Sequence, residues 1–372
     1  MAIYGTCNKG MGGHAMEIIH IQIIYVEDGM ILAEDLYNHK NELIVTCDTV
    51  LNLAIIEKIK QHGIFHISVY KKEDEISAKD RYEHRERIKQ TEEFMAFKKD
   101  FEESINGLKK TFKKILEDSE IGAMEALLSQ VSTMVRHGHS SLHVMDMMNC
   151  MREYDDVTYA HSISVALLCH LMGEWLRFSS EDTYNLAMCG LLHDIGKIQI
   201  SHKIISKPGK LTKEEFDLIK EHPKLGYEIL KNKNIDERIK LSALMHHERC
   251  DGSGYPSGLV ADKIDYWSKI VSIADVYDAM TADRSYRKGM CPFEVLDIWE
   301  KEGLQKYDPG LILLFMEKTA YSYINSSVRL SDGRIGEVVS IQKNNLSKPL
   351  VKVGDEFIDL VKEKDLFIKQ II

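Results

Sequence analysis

The chain has 372 residues, 44% of them hydrophobic, and a formal net charge of −10. This length and apolar content suffice for one or two packed cores, and with only 6 prolines and 23 glycines the chain is neither collagen-like nor of low complexity. The acidic balance argues against a protein that binds nucleic-acid polymers or anionic membranes. A small anionic ligand is compatible with it, because a bound metal ion would supply local positive charge.

Cysteine usage and the lack of long apolar runs indicate the compartment. The 7 cysteines include no CxxC pair, and Cys169 and Cys189 lie in apolar runs, as reduced thiols of a cytosolic protein do. No apolar stretch approaches the ~20 residues that a bilayer span requires, and residues 1–16 carry neither a signal-peptide pattern nor a useful periodicity. We therefore expect a cytoplasmic protein with a flexible N-terminus over 1–16.

Residues 17–75 show strand-like patterns around one short helical stretch. The runs IIHIQIIYV, ILAEDLY, ELIVTC and FHISVY predict strands, and LNLAIIEKIKQHG predicts a helix before the last of them. This pattern indicates a small α+β module.

Residues 76–149 are dense in charge and poor in glycine, which is typical of long amphipathic helices. Apolar side chains recur at helical spacing, for example at Phe94, Phe97, Phe101 and Ile105. We expect a helical connector here, and its apolar face is a candidate surface for a homodimer.

Residues 150–325 predict a mainly helical domain, and residues 326–372 predict a short β-rich segment. Thr212 and Glu215 form a capping box ahead of FDLIKEH, and the Asp-Gly pair at 332–333 is a turn signal between strand-like runs. The predicted fold class is therefore mainly α, a helical bundle with a small N-terminal α+β module and a short β-rich C-terminal segment.

Histidine and aspartate residues gather in the helical domain and are its strongest chemical signal. The candidates are His161, His193, Asp194, His222, His246, His247 and Asp275. Imidazole and carboxylate ligands suit first-row metals such as Fe, Mn or Zn, and the absence of thiolates argues against a structural zinc site. These ligands are too many for one ion that must also bind water, whereas a bridging carboxylate can hold two ions that polarise a phosphoryl group.

Other polar residues of the region are less informative. The histidines of RHGHSSLH, at 137–143, lack a carboxylate partner at clear spacing, which favours a solvated turn over a metal site. Glu248 follows the histidine pair and has two interpretations, a group that orients one of the two rings or an exposed side chain.

Six strings resemble a known family: HSISVALL, LLHDIGK, HPKLGYEIL, HHERCDGSGYP, IVSIADVYDAMTADRSYR and YDPGL. Together they resemble the HD superfamily of metal-dependent phosphohydrolases, and specifically its HD-GYP branch, over roughly 150–325, nearly half of the chain. The resemblance implies an HD-type helical bundle that hydrolyses cyclic di-GMP with two or three divalent metal ions, Fe or Mn.

The resemblance also assigns roles to individual residues. The implied metal ligands are His161, His193, Asp194 and Asp275 for one ion and Asp194, His222, His246 and His247 for the other. The implied substrate contacts are Lys197, Arg284, Arg287 and the loop residues Gly254, Tyr255 and Pro256. Asp194 would bridge the two ions, and the Lys197 ammonium would neutralise a phosphate. The arginines would hold the phosphates or the guanine, and the glycines of the loop would permit its tight turn.

One position departs from the family pattern. Trinuclear members have a glutamate four residues before the first histidine, where this chain has Val157, which cannot bind a metal. We therefore expect a binuclear centre, in which a hydroxide that bridges the two ions attacks the phosphodiester phosphorus while the metals and Lys197 stabilise the charge. The product, linear pGpG or two GMP, stays open.

Two alternative functions also stay open. The substrate could be another cyclic dinucleotide, such as cyclic GMP-AMP, or the chain could be a non-catalytic receptor that binds the dinucleotide and signals through the long helices. All seven expected ligands and Lys197 are present, which favours the enzyme.

Overall fold

A computed structural model of the chain describes residues 18–23, 26, 30–37, 43–47, 49–62, 64, 66–70, 88–117, 122–139, 141–151, 157–205, 207, 209, 211–282 and 289–372. The predicted flexible segment 1–16 lies outside these residues. The described residues divide into two compact units, with the boundary between 79 and 80. Within these ranges, no helix combines the length and the apolarity that crossing a membrane requires.

The first unit is a small α+β module, as predicted. Its elements are β1 (Ile18–Gln22), β2 (Ile31–Leu32), β3 (Leu36–Tyr37), β4 (Leu43–Val45), α1 (Leu53–Gln61) and β5 (His66–Tyr70). β5 lies between β1 and β2 in an antiparallel sheet, and β3 pairs with β4. α1 begins where Asn52 Oδ1 accepts a hydrogen bond from the Ile55 amide at 2.9 Å. Leu32, Leu51 and Ile59 are fully buried in a core of this unit's own residues.

The second unit is mainly helical. Its helices are α2 (Glu92–Glu117), α3 (Gly122–His137), α4 (Ser141–Cys150), α5 (Val157–Trp175), α6 (Ser180–Leu192), α7 (His202–Ile205), α8 (Lys213–Ile219), α9 (His222–Leu230), α10 (Glu237–Met245), α11 (Tyr266–Thr281), α12 (Pro292–Ile298), α13 (Leu304–Lys306) and α14 (Pro309–Tyr321). A 3₁₀ turn (Ile195–Gln199) follows α6, and a π-helical turn (Trp299–Gly303) follows α12. The predicted capping box begins α8, because Thr212 and Glu215 each accept a hydrogen bond from the other's amide.

The apolar stripe predicted on α2 is buried inside the second unit. Phe94, Phe97 and Phe101 belong to the same core as Leu167 of α5 and Ile270 of α11, and α2 packs on α3 and α5. The stripe is therefore covered within the chain. The homodimer through this connector and the domain boundaries stay predictions.

The C-terminal segment is an antiparallel sheet. Its strands are β6 (Ser327–Leu330), β7 (Ile335–Gln342), β8 (Asn345–Val353), β9 (Glu356–Asp359) and β10 (Ile368–Ile371), in the order β10-β6-β7-β8-β9. The predicted Asp-Gly turn joins β6 to β7, where Gly333 has a φ of 93° that favours glycine. Ser347 of β8 bonds to Glu300 through its amide and its hydroxyl, which ties the sheet to the helices. The mainly helical fold class, with its two smaller strand-bearing parts, is confirmed.

Candidate metal centre

The second unit brings all seven predicted ligands to one place. The HDIGK string directly follows α6 and the histidine pair directly follows α10, while His161, His222 and Asp275 lie in α5, α9 and α11. Ligands 114 positions apart in the sequence, such as His161 and Asp275, come within 3.0 Å. The convergence of buried helix faces and helix ends therefore builds the cluster.

Asp194 lies at the centre and is shared by two groups of ligand atoms. The groups are His161, His193 and Asp194, and Asp194, His222, His246 and His247, each within a 4.8 Å span. Asp194 Oδ2 faces the first group, 3.8 Å from His161 Nε2 and 3.4 Å from His193 Nε2. Asp194 Oδ1 faces the second, 3.2 Å from His222 Nε2 and 3.8 Å from His246 Nε2. The two oxygens thus address different sets of imidazoles.

Two buried atoms of the cluster indicate whether the site suits metal ions. His193 Nε2 and Asp194 Oδ1 are buried and have no hydrogen-bond partner in the described part of the chain. A buried polar atom in that state is costly unless something else binds it. A divalent ion in each of the two ligand groups would satisfy one of these atoms, so the residues fit metal ions.

Hydrogen bonds at Nδ1 fix which nitrogen of each imidazole faces the centre of the cluster. Nδ1 of His193 donates a 2.7 Å hydrogen bond to the Gly190 carbonyl, and Nδ1 of His222 donates one of the same length to the Ile219 carbonyl. The His246 ring is held in the same way by carbonyls of α10. Because a carbonyl only accepts, Nδ1 of each ring carries a proton, and Nε2 is the nitrogen left to face the centre as a metal ligand.

His161 is held between two carboxylates of α11. Its Nε2 lies 3.0 Å from Asp275 Oδ1, and its Nδ1 lies 2.6 Å from Asp278 Oδ2. Asp278 is not among the residues predicted from the sequence, although a carboxylate behind a ligand imidazole orients the ring and makes it more basic. The signal that could have found it is its spacing, because a residue three positions after Asp275 lies on the same face of a helix.

The charges around the cluster keep its carboxylates ionised. Burial alone would raise the pKa of the Asp194 carboxyl, but Lys197 and neighbouring histidines hold it well below its usual range. Burial acts on the Asp275 pKa in the same way and is outweighed by the hydrogen bond from His161 and by nearby imidazoles. Both side chains are therefore in the form that binds a metal.

The imidazoles of the cluster differ in the direction in which their pKa values are shifted. Burial lowers the pKa of His246 and of His247 well below the usual value, so both rings stay neutral and available as ligands. Burial would also lower the pKa of His161, but the carboxylates of Asp275 and Asp278 outweigh it and raise that pKa to about 9. A metal ion at His161 must therefore displace a proton.

Lys197 stands at the opening of the cluster. Its Nζ lies 2.5 Å from Asp194 Oδ2, and its side chain is 24% exposed, whereas that of Asp194 is 1% exposed. Gly196 permits this placement, because a Cβ at that position would lie 2.0 Å from the His222 carbonyl oxygen. Only glycine lets the 3₁₀ turn pack this closely on α9.

The GYP turn forms a wall beside the histidine pair. The Tyr255 ring stacks on the His247 ring with centroids 4.6 Å apart. A Cβ at Gly254 would lie 2.5 Å from backbone atoms of His247, Glu248 and Arg249, so the turn can lie against the pair only with glycine at this position.

Glu248 organises the loop that carries the GYP turn. Its side chain is buried, and its two oxygens accept hydrogen bonds from the Ser257 amide at 2.7 Å and the Leu259 amide at 2.9 Å. Neither sequence-based interpretation, a ring-orienting group or an exposed side chain, describes this role. The Glu248 carboxylate turns to the loop because the amides of Ser257 and Leu259 have no local partner, and buried N–H groups require an acceptor.

Some predicted residues do not enter this geometry. Arg284 and Arg287 lie outside the described residues, as does the side chain of Val157, whose backbone begins α5. In RHGHSSLH, His139 is exposed as expected of a solvated turn, but His143 is buried in α4. None of these histidines joins a metal-ligand group found among the described residues.

Residues 140–311 match a family model described as "HD domain", and this range contains all seven ligands. The region is an HD domain. The predicted resemblance to the HD superfamily is therefore confirmed for this region.

Two curated relatives are similar to this chain. One is a cyclic di-GMP phosphodiesterase of Pseudomonas aeruginosa, 34% identical over 230 residues, which cover 61% of this chain and 54% of that protein. The other is a 3′3′-cGAMP-specific phosphodiesterase of Vibrio cholerae, 36% identical over 152 residues, which cover 41% of this chain and 33% of that protein. The chain thus spans about half or less of the length of these relatives.

A solved structure supports the fold. An HDG"Y"P protein from Bdellovibrio bacteriovorus superposes with a TM-score of 0.50 over 80% of this chain and 98% of that chain, at 15% identity. At this identity the likeness concerns the fold alone. Together with the family match, it confirms the HD-type helical bundle that the resemblance implies.

Proposed function

We propose that this chain is a phosphodiesterase that hydrolyses cyclic di-GMP at a binuclear metal centre. The observation that carries the proposal is the position of Asp194, whose two oxygens face different sets of histidines. A carboxylate in this position suits the bridge between two ions. The donor set of nitrogen and oxygen without sulfur supports Fe or Mn.

The chain's own residues would position the substrate and balance its charge. Lys197 offers an ammonium at the opening of the cluster, where it can meet a non-bridging oxygen of the scissile phosphate. Tyr255 supplies an aromatic wall, and burial raises the pKa of its phenol, so it stays neutral. When bound, the two ions would polarise the phosphoryl group and activate the attacking water.

The choice of substrate rests on the relatives. Cyclic di-GMP comes first because the Pseudomonas aeruginosa relative is named for it and matches the larger share of this chain. Cyclic GMP-AMP is the second candidate, since the Vibrio cholerae relative is named for that dinucleotide. Val157, in place of a glutamate, supports two ions rather than three and leaves pGpG and GMP both as candidate products.

Anaerobic product chromatography tests the proposal. The Mn- or Fe-loaded chain is mixed with cyclic di-GMP or cyclic GMP-AMP, and bound metal is counted by elemental analysis. We expect turnover of cyclic di-GMP and two ions per chain. Asp194→Ala should lose both ions and at least about 100-fold in rate, because both ions depend on this carboxylate. Asp262→Ala is the matched control, since that aspartate is exposed and pairs only with Lys263 at 3.7 Å in the described structure.

Each other result has a defined meaning. Turnover of the mixed dinucleotide alone would replace the substrate and keep the site. Tight binding without turnover, with both ions verified, would leave the receptor function. A single ion in the native chain, retained by Asp194→Ala, would contradict the bridging role of Asp194.

A further inference from the structure

A second positive charge lies beside the metal centre, and the hydrolysis described above does not use it. Lys220 lies between α8 and α9, two residues before His222. Its Nζ lies 5.5 Å from the centroid of the Tyr255 ring and 4.8 Å from that of Phe216. The Tyr255 ring thus contacts both this ammonium and the candidate ligand His247, on which it stacks.

Lys220 is not committed to a carboxylate in the part of the chain that the structure describes. The rings of Phe216 and Tyr255 are the contacts of its ammonium there, and the next charged residues, Glu221 and Lys224, pair with each other at 3.6 Å. A contact with an aromatic face holds an ammonium weakly when water reaches it. Its charge can therefore turn to an incoming anion without breaking an ion pair.

We propose that Lys220 binds the second phosphate of the cyclic dinucleotide, while the metal centre and Lys197 act on the first. This inference rests on the proposed function. A cyclic dinucleotide carries two phosphodiester groups, each with one negative charge, joined in one small ring. Because both groups belong to one small ring, a phosphate at Asp194 brings the other phosphate to side chains beside the cluster.

The chemistry of the two lysines matches this division. Lys197 Nζ lies 2.5 Å from Asp194 Oδ2, which holds it at the centre where the reacting phosphate would bind. Lys220 is half-buried at the rim, and a lysine offers a compact charge on a flexible stem that suits a single phosphate. The rings beside it, Tyr255 and the 45%-exposed Phe216, offer faces on which a purine can stack. Lys220 would thus favour cyclic dinucleotides over ligands with one phosphodiester.

Steady-state kinetics of the metal-loaded full chain tests this role. Lys220→Met keeps the aliphatic stem and removes the charge, and Lys220→Arg keeps a charge. Linear GpG, which has one phosphodiester, serves as a competitive inhibitor for comparison. We expect Lys220→Met to raise KM for cyclic di-GMP roughly 10-fold, the loss of one charge-assisted contact, with a smaller change in kcat. Its inhibition constant for GpG should stay near the native value.

Two further variants separate charge from packing. Lys220→Arg should recover most of the native KM, and Lys224→Met, which removes an exposed lysine paired with Glu221, should behave as the native chain. Equal losses for cyclic di-GMP and GpG, or a native KM in Lys220→Met, would overturn the inference. Failure of the proposed function looks different, because the native chain with both ions verified would then turn over no cyclic dinucleotide, and the role of Lys220 would fall with it.

Discussion

Single residues of the cluster are placed to bind metal ions, and this placement lowers the stability of the metal-free fold. His193 Nε2 and Asp194 Oδ1 are buried without a hydrogen-bond partner among the described residues, and each such atom costs about 1–3 kcal/mol. Nδ1 of His193 and Nδ1 of His222 nevertheless each donate a hydrogen bond to a backbone carbonyl. Selection for stability alone would not fix the imidazoles at Nδ1 and leave His193 Nε2 and Asp194 Oδ1 without a partner. Metal ligation explains both features.

Asp278 offers a test of this interpretation at a residue that touches no ion. Asp278→Ala removes the carboxylate 2.6 Å behind His161, so the ring loses its orientation and some basicity. We expect the affinity for the ion at His161 to fall about 10- to 100-fold, while the ion at His222, His246 and His247 remains. After dialysis against metal-free buffer, elemental analysis should find one ion per chain instead of two.

The matched control for Asp278→Ala is another helix aspartate. Asp297 of α12 pairs with Lys301 at 2.6 Å on the surface, so Asp297→Ala should keep both ions. Native metal content in Asp278→Ala would show that its carboxylate does not support His161. Loss of both ions together would show instead that Asp278 supports the fold of the whole cluster.

At the scale of elements, the GYP turn should tolerate no added carbon. A Cβ at Gly254 would lie 2.5 Å from backbone atoms on three neighbouring residues, and backbone cannot yield as a side-chain tip does. We expect Gly254→Ala to cost about 1–3 kcal/mol of unfolding free energy and to raise KM by displacing Tyr255 from His247. Thermal unfolding and steady-state kinetics measure the two effects.

Gly310 provides the control for that substitution. It lies in the first turn of α14, where an added Cβ meets only Asp308 Oδ1 at 3.5 Å within the described structure. Gly310→Ala should leave KM unchanged and stabilise the chain by up to about 1 kcal/mol, since alanine loses less backbone freedom. A Gly254→Ala variant as stable and as active as Gly310→Ala would show that the turn is free to move.

What could be predicted from the sequence depends on the range of the interaction that decides it. The capping box of Thr212 and Glu215 and the Asp-Gly turn at 332–333 depend on neighbouring residues, and both are present. The histidines and aspartates that cluster were predictable as a group because their short strings are distinctive. Asp278 and Glu248 were missed or misread because their partners, a ring on α5 and amides up to 11 residues away, are set by packing that no local pattern records.

At the scale of the whole molecule, the described residues form two separate hydrophobic cores. Residues such as Leu32 and Ile59 form one, and residues such as Leu167 and Ile270 form the other. Every candidate ligand, together with Lys197 and the GYP turn, lies in the second unit. Because a unit with its own core can fold alone, folding and metal binding by the second unit should not require the first.

A truncated chain that begins at Asp80 tests this independence. We expect it to unfold in one cooperative transition and to hold the two ions that we propose for the full chain. A chelator should lower Tm in both proteins by a similar amount, because ions that bind only the folded state stabilise it, by about 2.7 kcal/mol at 100 times Kd. Calorimetry with and without chelator, beside elemental analysis, measures all three properties.

The properties that the truncated chain loses would indicate what the first unit does. If the truncated chain keeps its ions and its unfolding transition but loses turnover of cyclic di-GMP, the centre is intact and the first unit acts on substrate binding or on regulation. If it loses the ions and the cooperative transition together, the boundary at 79 and 80 divides a single folding unit and the division into two is wrong. The distinction can be made because the ligands report on the centre, the transition reports on the core, and turnover requires both.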